Sequence, residues 1–186
     1  MKTQIERRAP SGLKDFFALA VTTFGIGYLP LAPGTYGSAV GVGIYLFAAW
    51  CVNFAEHFVN SHHGLPGSSA AWTHAIILIA FLLFCLMGIW ATGRSTGLLG
   101  NSDPPEAVVD EVIGQLIVFL FVPFGIGWPF ILAGFLLFRL FDIWKPYPID
   151  DLQNLPSGIG VCADDILAGV YAGVVLAVIY AISLSV

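Results

Sequence analysis

Long apolar runs separated by short polar stretches rich in proline and glycine set the pattern of this chain. A helix rises about 1.5 Å per residue, so about 20 mostly apolar residues cross the roughly 30 Å hydrocarbon core of a bilayer. Residues 36–55, 74–93 and 166–185 meet that length. The region 108–141 is too long for one span, and "FVPFGIGWPF" divides it with two prolines and two glycines, which predicts a hairpin of two helices. The first is expected over 104–122, with Asp103 as cap, Pro104 in the first helical position and Glu106 completing a capping box. The second runs over 129–145, from Pro129 beside an interfacial Trp128 to Lys145, because Pro146 disfavours helix at the residue before it. The expected fold is therefore all-α: a polytopic membrane bundle of about five transmembrane helices, forming a single domain over 1–186. An interfacial or re-entrant segment precedes the first span.

Composition agrees, since 58% hydrophobic and 10% charged residues lie outside the usual soluble range. The net charge of −5 says little, because most of the acids sit in a few clusters beside apolar runs. Cys51, Cys85 and Cys162 are odd in number, far apart and within or beside apolar segments, which argues against a disulfide framework or a zinc knuckle. The N-terminus has basic residues before an apolar run, as a signal peptide would. Pro30 and Pro33 interrupt the chain just beyond that run, so the segment is expected to stay on the mature protein. No nucleic-acid partner is expected.

Basic residues set the orientation. Lys2, Arg7, Arg8 and Lys14 precede the first span, Arg94 follows the second, and Arg139 and Lys145 close the hairpin, whereas the loop 56–73 has none. Cytoplasmic loops are enriched in Lys and Arg, so the N-terminus and the segments 94–110 and 142–165 are expected inside. Every acidic cluster then faces the cytoplasm.

Three polar stretches share that face: "YLPLAPGTYGS", "VVDEVIG" and the charged run 138–165. A single carboxylate at a helix end can be an interface anchor. The pair Asp110 and Glu111, inside a capped helix that runs on into lipid, is costly unless it is paired or binds something. Arg139, Asp142 and Lys145 fall at i, i+3 and i+6, either as a salt-bridge ladder or as a metal-ligating carboxylate flanked by anion-binding cations. Asp164 and Asp165 precede an apolar run; one suffices to cap a helix, and the second is free to bind a hard ion such as Mg2+. The glycines and hydroxyls of "APGTYGS" allow a tight phosphate-holding loop, a weak signal alone. Asp150 and Asp151 read as solvated loop residues, and His57, His62, His63 and His74 as solvent-facing or interfacial. Carboxylates, cations and a glycine-rich loop suit phosphoryl chemistry on a phosphorylated lipid head group. The C-x5-R, D-x-D, P-S-G-H and D-G-x2-A-R signatures of other lipid-phosphate enzymes are absent.

"PLAPGTYGS", "VVDEVIG", "FRLFDIWKPYPI" and "GIGVCADDILAG" together resemble, in order and spacing, the four motifs of the phosphatidylglycerophosphatase A family over roughly residues 20–180. The resemblance implies an Mg2+-dependent, multi-pass enzyme of the bacterial inner membrane that converts phosphatidylglycerophosphate to phosphatidylglycerol. It carries over Thr35, Asp110, Glu111, Arg139, Asp142, Lys145, Asp164 and Asp165 as motif residues. In that reading the five acids hold Mg2+, while Thr35, Arg139 and Lys145 hold the phosphate. Either a water or a carboxylate can be the nucleophile. The rival class is a small transporter or channel, for which membrane acids are also typical; it would place them near mid-bilayer rather than at helix ends on one face. The oligomeric state stays open between a complete monomeric site and a homo-oligomer.

Overall fold

The computed structural model describes residues 4–62, 66–153, 155 and 157–185. The helices among them are α1 (Leu13–Thr23), α2 (Pro33–His62), α3 (Pro66–Leu99), α4 (Val109–Phe119), α5 (Trp128–Trp144), α6 (Ile149–Leu152) and α7 (Ser157–Ser183). No strand occurs among the described residues.

Three helices contain segments long and apolar enough to cross a bilayer, Pro33–Ala55, Ala71–Leu99 and Gly158–Ser183. They expose large apolar side chains, among them Phe47, Trp50 and Phe54 on α2 and Leu78, Leu82 and Leu86 on α3. In water such a surface would drive association, whereas in lipid it is the solvated one. α2 and α3 overrun their expected spans at both ends, whereas α7 starts well before its own and stops at Ser183, short of residue 185. The predicted outer loop 56–73 is largely helix, since α2 continues to His62 and α3 starts at Pro66. His57 and His74 are exposed as expected, while His63 lies outside the described residues. His74 meets the ring of Phe124 edge-on at 5.9 Å.

The hairpin is present, but its helices are shorter than predicted. At 11 and 17 residues, α4 and α5 rise about 16 and 25 Å, short of the roughly 30 Å core. The start of α4 is the larger difference. Its cap position is Val108, with no side-chain cap from Asp103 and no capping box through Glu106. Instead the Val108 N–H donates to the Thr22 carbonyl at 2.9 Å, so the end of α1 satisfies a group that the first turn leaves open.

Burial explains why so short a helix is apolar nearly all round. Nine of the eleven α4 residues are buried, and α7, α2, α3 and α5 surround it. Gly114 of α4 meets Gly169 of α7 backbone to backbone, the close approach that small residues permit between membrane helices. Around α4 the core gathers Tyr45, Val118, Phe119, Phe138 and Leu176 on one side and Val109, Ile113 and Ile117 on the other. Tyr45 stacks on Phe119 with ring centroids 4.3 Å apart.

α1 is too short to cross a bilayer. It buries Asp15, Ala18, Thr22 and Thr23 and exposes Leu13, Phe16 and Phe17, as a helix lying along an interface does. The starts of α2, α4 and α7 and the ends of α3 and α5 converge on one end of the bundle, where their residues line a single cavity.

Candidate functional site

The cavity has a volume of about 360 Å³ and is walled by Asp110 and Glu111 of α4, Asp142 and Lys145 at the end of α5, and Asp164 and Asp165 of α7. One oxygen each from Asp110, Glu111 and Asp165 lie within 4.8 Å of one another. Asp110 and Asp165 are buried. Asp110 Oδ1, Glu111 Oε2, Asp164 Oδ1 and Asp165 Oδ1 have no hydrogen-bond partner among the described residues. Buried carboxylate oxygens without partners are expensive, and a cation is the usual compensation. The donor set is all oxygen, which fits a hard divalent ion such as Mg2+ rather than a thiophilic one.

Local structure places each acid. Asp110 and Glu111 occupy the first turn of α4, whose position is fixed by the Thr22 carbonyl. Asp164 and Asp165 do not cap α7, because that helix already begins at Ser157 and the two acids lie about two turns inside it. The capping alternative for this pair is thereby removed. α5 ends where Pro146 requires, and Lys145 takes a left-handed conformation with φ 46° and ψ 58°. A non-glycine residue there is uncommon and is held by its surroundings. Here Lys145 Nζ donates to Asp164 Oδ2 at 2.5 Å. Nearly two turns earlier, Arg139 Nη1 donates to Asp142 Oδ2 at 2.5 Å. Only one of the two ladder contacts expected on α5 therefore forms; the second cation crosses to α7.

The "APGTYGS" stretch is not a loop but the first turns of α2, starting at Pro33. Pro33 reaches the cavity wall, whereas Thr35 is half-buried and is not among the residues that line it. Gly34 is pressed against the site. A β-carbon there would collide with Glu111 Oε1 and lie 2.9 Å from Arg139 Nη1. Asp150 and Asp151 fall on the short α6 and are exposed.

Several wall residues escaped the sequence reading. Asp103, expected as a helix cap, lines the cavity, as do Thr96 and Ile5. Ile5 belongs to an N-terminal arm laid against the end of α3: its N–H donates to the Gly100 carbonyl at 3.1 Å, and that of Arg8 to the Gly97 carbonyl at 2.9 Å. The arm is anchored by the fully buried Asp15, which accepts from Arg8 Nη1 at 2.7 Å, Arg8 Nη2 at 3.0 Å and Arg94 Nε at 2.6 Å. The Arg8 guanidinium, the Ser11 N–H and Arg94 together hold the Asp15 carboxyl well below the usual carboxylate range, against the effect of burial. Arg8 and Arg94 stand 86 positions apart, so no local pattern could reveal a shared partner. Gln115, one turn beyond Glu111, is fully buried with neither amide atom paired among the described residues. A glutamine in an apolar run gives no sign of that environment.

Residues 19–180 match the family model of phosphatidylglycerophosphatase A. A Bacteroides thetaiotaomicron protein, provisionally named a phosphatidylinositol-3-phosphatase, is 38% identical over 158 residues, covering 84% of this chain and 89% of that one. A Haemophilus influenzae protein named phosphatidylglycerophosphatase A is 34% identical over 161 residues, 85% of each chain. The Escherichia coli protein of the same name is 30% identical over 159 residues, 85% of this chain and 80% of its own. No solved structure matches.

Proposed function

The chain belongs to the phosphatidylglycerophosphatase A family, and we propose that it hydrolyses the terminal phosphomonoester of phosphatidylglycerophosphate, with Mg2+, to give phosphatidylglycerol for phospholipid biosynthesis. The observation that carries this reading is the meeting of Asp110, Glu111 and Asp165 within 4.8 Å, with an unpartnered oxygen on each.

In this reading Asp110, Glu111 and Asp165 hold the ion, with Asp142 and Asp164 beside them. Once bound, Mg2+ supplies charge neutralisation for the phosphate oxygens. The chain's own cations do the rest of the binding. Lys145 and Arg139 already donate to carboxylates, and an incoming phosphate offers a competing anionic acceptor for the same N–H groups. Thr35 lies off the cavity wall, two residues along α2 from the lining Pro33, and would reach the phosphate only from that edge. In the net reaction a water oxygen joins phosphorus, the bond from phosphorus to the glycerol oxygen breaks, and that oxygen takes up a proton. An attacking water and an attacking carboxylate both satisfy that balance.

We place the site on the cytoplasmic face of the bacterial inner membrane, with α4 and α5 as the short hairpin of a five-helix membrane bundle. The support is the gathering of Arg7, Arg8, Arg94, Arg139 and Lys145 at the cavity end. The transporter alternative finds no support in the relatives, which are named as lipid phosphatases.

The test is phosphate release by the purified protein in detergent, from phosphatidylglycerophosphate and from phosphatidylinositol 3-phosphate, with Mg2+ and with EDTA. Mg2+-dependent release from the first and little from the second is expected. Preference for the inositol lipid would move the substrate assignment to the class named for the Bacteroides relative, and release unaffected by EDTA would remove the metal.

A further inference from the structure

A head group held in the polar cavity leaves two acyl chains to be accommodated beside it, and one face of α2 carries both a residue of that cavity and, three positions on, the first residue of an apolar groove. Pro33, Tyr36, Val40, Gly43 and Phe47 follow one another at helical spacing along this face. Pro33 lines the cavity. The other four line an open groove of about 630 Å³, together with Ile26 and Leu29 from the segment before α2. From residue 36 to residue 47 the helix rises about 16 Å, close to half the roughly 30 Å hydrocarbon core, the depth of one leaflet.

The glycines of α2 are of two kinds. A β-carbon at Gly37 would lie 2.9 Å from the Val108 carbonyl, and one at Gly41 2.8 Å from Gln115 Cβ, so close approach to α4 explains both. Gly43 is different: a β-carbon there meets nothing within 4 Å. Glycine weakens a helix relative to alanine, and no neighbour in the fold compensates at this position. Below it the surface becomes bulky again, with Phe47 stacked on Trp50 and Trp50 on Phe54. Gly43 thus makes a notch in an otherwise aromatic lipid-facing helix, on the face that begins at the cavity.

We propose that this groove seats one acyl chain of the lipid phosphate substrate, with Gly43 keeping it open. The proposal rests on the lipid-phosphatase reading above and adds where the substrate's chain lies. It predicts that filling the notch discriminates between substrates by chain length, because a short chain never reaches it.

The experiment compares wild type with Gly43→Phe, and with Gly43→Ala as the milder variant, on long-chain and on dihexanoyl phosphatidylglycerophosphate. For Gly43→Phe, kcat/KM on the long-chain lipid is expected to fall about tenfold or more, while that on the short-chain lipid stays within about twofold. An equal fall on both, or no fall on either, overturns the groove. A second measurement does not depend on turnover: a long-chain phosphatidylglycerophosphate carrying a photoactivatable group in the acyl chain is expected to label residues 36–47, and unlabelled lipid to compete it away. Labelling spread over the other lipid-facing helices, at Leu82 or Leu136, overturns the proposal. Absence of phosphate release by the wild type from either of these lipids and from phosphatidylinositol 3-phosphate overturns the lipid-phosphatase reading itself, a result distinct from release without chain-length discrimination.

Discussion

Lys145 Nζ stands 2.5 Å from Asp164 Oδ2 and ties the end of α5 to α7 in the lining of the cavity. The pair does two jobs in the proposed site: it neutralises one of five neighbouring acids and presents a cation to the phosphate. Lys145→Met removes both. Phosphate release should fall by about 100-fold or more, the scale of losing a preorganised charged donor. Retention of near wild-type turnover would remove Lys145 from the site.

Asp110→Asn and Asp165→Asn test the acid cluster separately. Each replacement keeps the side-chain volume and deletes one negative charge from the trio. Turnover should drop to background. A ligand that binds only the folded state raises its stability, so Mg2+ should raise the melting temperature of the wild type in detergent but not of these variants. Equal Mg2+ stabilisation in wild type and variants would place any bound ion elsewhere.

Asp15 gives a pH-dependent prediction at a distance from the chemistry. Its carboxyl is held below the usual range by Arg8, Ser11 and Arg94, so the native state favours the ionised form. The resulting stabilisation is complete above the ordinary aspartate pKa of about 3.9, shrinks as pH falls below it, and is lost only below the depressed folded value. Wild type should therefore melt above Asp15→Asn at neutral pH, and the gap should close on acidification below about pH 4. In the variant, amide exchange should quicken at Ile5 and Arg8, whose N–H groups are bonded to the end of α3. Unchanged exchange there would show that the arm is held without the ion pairs.

How much of this was legible in the sequence depends on the range over which each signal acts. The apolar runs gave the long helices, and the proline and glycine cluster at 121–130 gave the hairpin turn, because span length and backbone punctuation are local properties. Helix starts were less legible. The Asp103–Glu106 pattern reads as a capping box, yet α4 begins later because the carbonyl of Thr22, distant in sequence, satisfies Val108. The "APGTYGS" glycines read as a loop and lie in a helix, since what they serve is close approach to α4 and α5, a tertiary requirement that imitates turn chemistry. Among the candidate site residues, Asp110, Glu111, Asp142, Lys145, Asp164 and Asp165 stand out as charges beside lipid and line one cavity, whereas Thr35 and Arg139 are not in its lining. Ile5, Thr96 and the Arg8–Asp15–Arg94 anchor were missed, because their association exists only once α1 is laid against α3.

Gly34 separates geometry from stability at the site. A β-carbon at this position collides with the Glu111 carboxylate and crowds the Arg139 guanidinium, and both groups are the far ends of flexible side chains. They can move aside at small cost, and alanine favours helix over glycine, so the melting temperature of Gly34→Ala should change little. Activity should not be spared in the same way. Glu111 belongs to the acid trio and Arg139 pairs with Asp142, so their displacement disturbs the proposed ion ligand and the proposed phosphate donor together. A misplacement of about 1 Å in such groups can cost about 100-fold in rate, so a fall of that order is expected with a nearly unchanged melting curve. The thermal melt and phosphate release of the same preparation provide the check. Loss of both together would mean that Gly34 serves the packing of α2 on α4, and loss of neither would show that Glu111 and Arg139 are free to move without consequence for the reaction.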